Sequence, residues 1–139
     1  MKNRHLIFIV IAMILSFGCS KSSNSTSTVT PPTPTPEPQI VFTIDASNAS
    51  ISPGSSFPVT VTLTSAMPSA KGVNIEATLT DQTNNTLLSQ GGTTTSNTLK
   101  STINVINLPQ QHWCNATIKV YSAATPSNTA SQSFTVVYK

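Results

Sequence analysis

Charge is scarce in this chain of 139 residues: seven Lys and Arg stand against four Asp and Glu, with two His, two Cys and one Trp. Four carboxylates and two imidazoles leave little material for acid–base or metal chemistry. The length suits one ordinary domain and not two. Past residue 40 no stretch carries a helical stripe of apolar residues, so Gly91-Gly92 reads as a turn and not as a phosphate cradle, which needs a helix N-terminus behind it. What the chain has in abundance is hydroxyl: 42 of its residues are Ser or Thr.

The N-terminus is organised as an address. Lys2 and Arg4 form a short positive region, and Leu6-Ile7-Phe8-Ile9-Val10-Ile11-Ala12-Met13-Ile14-Leu15 follows without a charge. That run is too short to span a hydrocarbon core, which takes about 20 apolar residues. It reads as a secretory signal peptide over residues 1–18. Gly18-Cys19 after this run resembles the bacterial lipoprotein signal, in which a small residue precedes a Cys that is acylated and becomes the first residue of the mature chain. Ser16 stands where that family usually has Leu, and Leu15 lies one position further back. The resemblance implies lipidation of Cys19, attachment to the membrane through N-terminal acyl chains, and a bacterial cell envelope location, the outer membrane first. Ser16-Phe17-Gly18 also fits an ordinary signal-peptidase site, and a disulfide from Cys19 to Cys114 is the competing fate of the thiol. Residues 20–30 lack the acidic residues that surface-exported lipoproteins of one group carry, so periplasmic and outward-facing placements both stay open.

Once residues 1–18 leave, Lys21, Lys71, Lys100, Lys119 and Lys139 balance Glu37, Asp45, Glu76 and Asp81 to a net +1. No basic stripe remains, which argues against a nucleic-acid partner. Ser, Thr and Pro fill 15 of the 20 positions from 20 to 39. Such a segment cannot bury enough apolar area to offset its ordering entropy. Residues 19–39 are therefore expected to form a disordered stalk, reaching at most ~60 Å at the polyproline rise.

From Ile40 the apolar residues recur with period two. Ile40, Phe42 and Ile44 alternate with polar or outward positions; so do Phe57, Val59, Val61 and Leu63; Val73, Ile75, Ala77 and Leu79; Ile103 and Val105; Cys114, Ala116, Ile118 and Val120; and Phe134, Val136 and Tyr138. Leu87-Leu88 suggests one more short strand. Pro, Gly, Asn and Asp clusters punctuate the runs. About seven strands, each with one apolar face, predict an all-β, antiparallel two-sheet sandwich over residues 40–139, with a small closed barrel as the runner-up. Ile51-Ser52-Pro53-Gly54-Ser55-Ser56-Phe57-Pro58-Val59-Thr60-Val61, and Leu108-Pro109 followed by Trp113-Cys114-Asn115-Ala116-Thr117-Ile118-Lys119-Val120, resemble the second and sixth strands of immunoglobulin-like and fibronectin-III-like domains of bacterial envelope proteins. Antibody-type domains pair a sixth-strand Cys with one in the second strand; here that strand offers only Val59 and Val61, so Cys114 reads as a buried free thiol.

The search for chemistry yields little. His112 and Cys114 share the inward side by parity, which denies the thiol the accessible environment a nucleophile needs. Asp45, Glu76 and Asp81 read as separate surface or turn residues. Asp45 with Asn48 offers two oxygens where Ca²⁺ takes six or more. No enzyme, metal or cofactor is expected. Trp113 and Tyr121 face away from the core, eight residues and ~26 Å apart, too far for one stacking platform. Trp113 either covers the open end of the sandwich or contacts a ligand, and the Asn/Thr-rich loops 81–86 and 91–98 offer further hydrogen bonds. The expected role is a binding, adhesion or structural module meeting an unidentified protein or glycan; the alternative is a carbohydrate-binding module that uses Trp113.

Overall fold

The computed structural model describes residues 35–139. Among these residues there are nine β-strands and no helix: β1 Phe42–Ile44, β2 Ser50–Ser52, β3 Phe57–Leu63, β4 Val73–Asp81, β5 Thr86–Leu88, β6 Thr94–Ser96, β7 Lys100–Val105, β8 Trp113–Ser122 and β9 Thr129–Tyr138. They form a smaller sheet in the order β1-β3-β7 and a larger one in the order β2-β9-β8-β4-β5, with β6 also pairing with β4. The domain is a two-sheet sandwich and not the closed barrel that the sequence leaves as runner-up. The strand order is immunoglobulin-like.

The period-two reading fixes the core. Val59, Val61, Val73, Ile75, Leu79, Ile118, Val120, Phe134 and Val136 are all buried between the sheets, with Cys114 and Ala116 among them. Each large aliphatic buried this way contributes roughly 1.5–3 kcal/mol. Phe57 of the smaller sheet leans on Phe134 of the larger at 5.9 Å between ring centroids, tilted by 44°. This is an offset contact of the kind aromatic quadrupoles favour.

Two features depart from the sequence expectation. The strands number nine where about seven are expected, because β2 (Ser-Ile-Ser) and β6 (Thr-Thr-Ser) are three-residue pieces too short to display a period. The sandwich is also not wholly antiparallel. After β1 pairs with β3, the chain crosses through Ala49, at φ 65°, to the other sheet, and β2 runs parallel to β9. One stretch of chain thus covers an edge of each sheet in turn, a known way to keep strand edges from pairing with other molecules.

Two glutamines lace the sheets together. On one side the Gln132 carboxamide of β9 donates to the Phe42 carbonyl of β1. On the other, Gln90 donates to the Ile106 carbonyl at 2.8 Å and accepts from the Ile106 N–H at 2.9 Å. Asn128, in the β8–β9 loop, holds the incoming chain: it accepts from the Ile40 N–H at 3.1 Å and donates to the Pro38 carbonyl at 2.9 Å. Residues 35–39, read from the sequence as the end of the stalk, form no strand, and their last part lies against this loop.

Gly72, just before β4, has φ +78°, and a Cβ there would collide with the Ser96 carbonyl of β6. Gly54 has open space around it and no positive φ. Gly72→Ala is therefore expected to cost about 2 kcal/mol or more. Gly54→Ala should stay within about 0.5 kcal/mol. Urea midpoints of the two variants check this.

Candidate binding surface

β8 and β9 set two opposite ends. The chain arrives at the β8–β9 loop, where β8 finishes; Trp113 opens β8 at the other end, nine residue steps and roughly 30 Å away. There Trp113 pairs with Val137, and Val137 pairs in turn with Ile51 of β2. All three side chains point to the outer face of the larger sheet. Trp113 is 41% exposed and Ile51 57%, while Val137 between them is only 2% exposed. The alternation predicts Val137 on the solvent side. It does face that side, standing buried between Trp113 and Ile51 in the row. The result is an apolar strip across three strands.

Polar groups border the strip. The Gln82 N–H donates to the Trp113 carbonyl at 2.9 Å, which places Gln82 beside Trp113 across the strands. Asn115 follows two residues along β8 on the same face, opposite Thr135 and Thr80. Tyr121, the other outward aromatic of β8, is already engaged: its hydroxyl donates to Glu76 Oε1 at 2.6 Å and Lys119 lies 5.1 Å from its ring centroid. Thr93 donates to the same carboxylate oxygen at 2.8 Å. These donors hold the Glu76 carboxyl below its usual range, Tyr121 first, and the same bond pushes the Tyr121 phenol up. Thr95 likewise donates to Asn74, and hydroxyls of Ser96, Thr98 and Ser101 bond one another. Much of the polarity of loop 91–98 is thus spent inside the domain.

Next to the strip the structure corrects two expectations. Parity predicts His112 inward, and Asp81, one of the scattered carboxylates, reads as a surface or turn residue. Instead the His112 side chain is 41% exposed and the Asp81 side chain 4%. His112 Nδ1 lies 2.8 Å from Asp81 Oδ2, and the Thr83 N–H donates to Asp81 Oδ1 at 2.8 Å. His112 precedes β8 by one residue, where the strand parity no longer governs its side chain, whereas Asp81 ends β4 in phase with Val73, Ile75, Ala77 and Leu79. The hydrogen bond from His112, then that from Thr83, holds the Asp81 carboxyl below its ordinary range. The sequence carried the signal for Asp81: its inward phase demanded a partner.

Cys114 pairs with Asp81 across the strands and is fully buried and free. Burial, and then the Asp81 charge, pushes its thiol up, the opposite of what a nucleophilic thiolate needs. Among the described residues, no hydroxyl or thiol hydrogen-bonds the remaining ring nitrogen of His112. The pair fastens the ends of β4 and β8. Asp45 accepts from the Thr60 N–H at 2.7 Å. Among the described residues no group of three or more His, Cys, Asp or Glu converges as a metal site would require. Cys19 lies outside the described residues.

Comparison with protein-family models, curated proteins and solved structures found no match.

Because the folded Asp81 carboxyl sits below its unfolded value, its stabilisation is full above the ordinary carboxylate range, near pH 4, and is lost as pH falls through the depressed value. Asp81→Asn should therefore lower the thermal midpoint at pH 5–7, and the gap to the parent should close below about pH 4. Melting curves across that range check the sign.

Proposed function

We propose that the protein is an exported lipoprotein of the bacterial envelope, held at the outer membrane by acyl chains on Cys19. Its immunoglobulin-like domain works there without catalysis as a binding or adhesion module. The charge and hydropathy of residues 1–19 support the anchor, and the hydroxyl- and proline-rich segment that follows suits a spacer. The observation that carries the binding role is the Trp113–Val137–Ile51 strip. An apolar row on an outer sheet face, at the end away from the arriving chain, is what a tethered domain needs to meet a partner.

A second reading is a carbohydrate-binding module. Trp113 favours it, because an exposed indole with Gln82 on the neighbouring strand end and Asn115 two residues along the same face offers a stacking surface with hydrogen-bonding residues nearby. Tyr121 adds no second platform, since Glu76 and Lys119 already occupy it.

The anchor is tested by intact mass of the membrane-extracted protein: added acyl mass on a chain starting at Cys19 is expected, and Cys19→Ser should release the protein from the membrane fraction. A mature chain without acyl mass rejects the anchor. For the surface, Trp113→Ala should abolish binding while shifting stability by less than about 1 kcal/mol. A glycan array separates the two readings: retention lost in Trp113→Ala selects the sugar, and silence across the array removes it.

A further inference from the structure

The end of the sandwich at which the chain arrives is held together by backbone bonds between strand termini. Asn128 holds Ile40 and Pro38 there. The Ser122 N–H donates to the Asn128 carbonyl at 3.0 Å, and the Ala123 N–H to the Gly72 carbonyl at 3.1 Å. β3 finishes at the same end: the Thr64 N–H donates to the Val41 carbonyl at 2.9 Å, and the Leu63 N–H to the Leu99 carbonyl at 2.7 Å. Val41 and Leu99 therefore flank the end of β3, one on each side, about 10 Å apart at strand spacing.

Both aliphatics are exposed, Val41 by 55% and Leu99 by 52%. Val41 is in phase with Thr43 and stands on the outer face of the smaller sheet. Lys100 stands on that face too, opposite Thr62, which in turn pairs with Thr43. Lys71, in the turn before β4, is exposed at the same end. Carboxylates are placed elsewhere or engaged. Glu76 is bonded by Tyr121 and Thr93, and Asp81 by His112. Asp45 shares the outer face with Lys100, but it lies further toward the other end and accepts from the Thr60 N–H. Among the described residues Glu37 is the carboxylate at this end, and the Asn128 carboxamide donates to it at 3.4 Å. One corner of the smaller sheet thus combines two exposed aliphatics with two exposed lysines.

We propose that this corner rests on the lipid surface that anchors the chain, with Val41 and Leu99 at the headgroup boundary and Lys71 and Lys100 on anionic phosphates. The inference rests on the anchor at Cys19. That residue stands sixteen positions before Thr35, where the described chain begins. The tether enters at this end, so this end meets the bilayer before the Trp113 end does. A tether of such length gives an effective concentration in the millimolar range, so an attraction too weak to bind a free protein suffices. Two lysines beside anionic headgroups and two aliphatics at the apolar boundary supply an attraction of that kind. A protein partner suits the corner less well, because two exposed aliphatics fall far short of the ~800 Å² that each side of a stable complex buries. The spacer sets how far the domain can travel, and the corner decides where it stays. Leaning on the smaller sheet turns the outer face of the larger sheet, with Trp113 at its far end, away from the membrane.

The test uses the ¹⁵N-labelled acylated chain in nanodiscs of phosphatidylcholine with about 25% phosphatidylglycerol and a trace of gadolinium-chelating lipid. The gadolinium should speed relaxation of the Val41, Leu99 and Lys100 amides several-fold more than that of Trp113. It should also favour them over Ser127, which is exposed at the same end in the β8–β9 loop. The double variant Val41→Ser/Leu99→Ser changes two exposed positions and should fold as the parent does. Its enhancement at Lys71 and Lys100 should drop several-fold, and leaving out phosphatidylglycerol should lower that of the parent. Equal enhancement in parent and double variant, which a tether alone would give, overturns the proposal. So does an enhancement that is as strong at Trp113 or Ser127, or that ignores phosphatidylglycerol. If the extracted protein carries no acyl mass, the anchor reading falls by itself. The chain from Cys19 onward, coupled through that thiol to a maleimide lipid in the same discs, then still decides the docking; Cys114, fully buried, does not compete.

Discussion

Val59 and Val61 from one sheet and Ile75, Ile118, Val120 and Phe134 from the other meet in the interior, and their removal from water is the interaction on which the remaining structure rests. The chain has few alternatives. It has no bonded disulfide within the described domain, since Cys114 is free, and its charged residues are too few for ion-pair networks. The alternation of apolar and hydroxyl side chains supplies the driving force and selects the fold. A strand with one apolar face must press it on another, and five long or medium strands of this kind close as two layers.

That closure creates an obligation at the margins, where backbone groups leave the ladders. Hydroxyl and carboxamide side chains meet much of it. Ser52, fully buried, donates to the Gly54 carbonyl and lies near the Ser56 carbonyl; Ser122, also fully buried, accepts from the N–H groups of Ala124 and Thr125. Gln90, Gln132 and Asn128 do the same across larger separations in sequence. Among the described residues no buried side-chain nitrogen or oxygen lacks a partner. The wealth of Ser and Thr therefore does more than face water. Short hydroxyls terminate strands and turns that would otherwise bury unpaired amides.

The same physics explains what was legible beforehand. Period-two runs gave β3, β4, β7, β8 and β9 and nearly every core residue, because each long strand repeats its signal several times. β2 and β6 were hidden: three residues give no period, and Ser-Ile-Ser carries a single apolar residue while Thr-Thr-Ser carries none. Trp113 was legible as outward, but its neighbours were not, since the row with Val137 and Ile51 exists only through pairing across β2, β9 and β8. A parallel pairing between residues 86 positions apart, Ser50 with Val136, leaves no local mark. His112 failed for a different reason. Parity extended from β8 past its first residue puts the ring inward, whereas the segment leading into β8 turns at Gln111, with φ 62°.

The candidate surface lies on the larger sheet, and the unequal widths of the sheets give the reason. β1, β3 and β7 cover one side of the larger sheet's interior, and that sheet extends to shorter strands at its margins, β2 beyond β9 and β5 with β6 beyond β4. Three-residue strands cover an edge only in part. At one margin β2 completes the row of Ile51, Val137 and Trp113 but leaves its outer members exposed. At the other, β5 and β6 cover β4 on either side of Ala77 but not at it. The row available to a partner is thus a place where a small strand runs out. It needs no charge or ionisable group, which is consistent with a domain that has few to offer. Recognition through that row depends on apolar contact. It should vary little with salt, because screening acts on charges and leaves that contact nearly untouched.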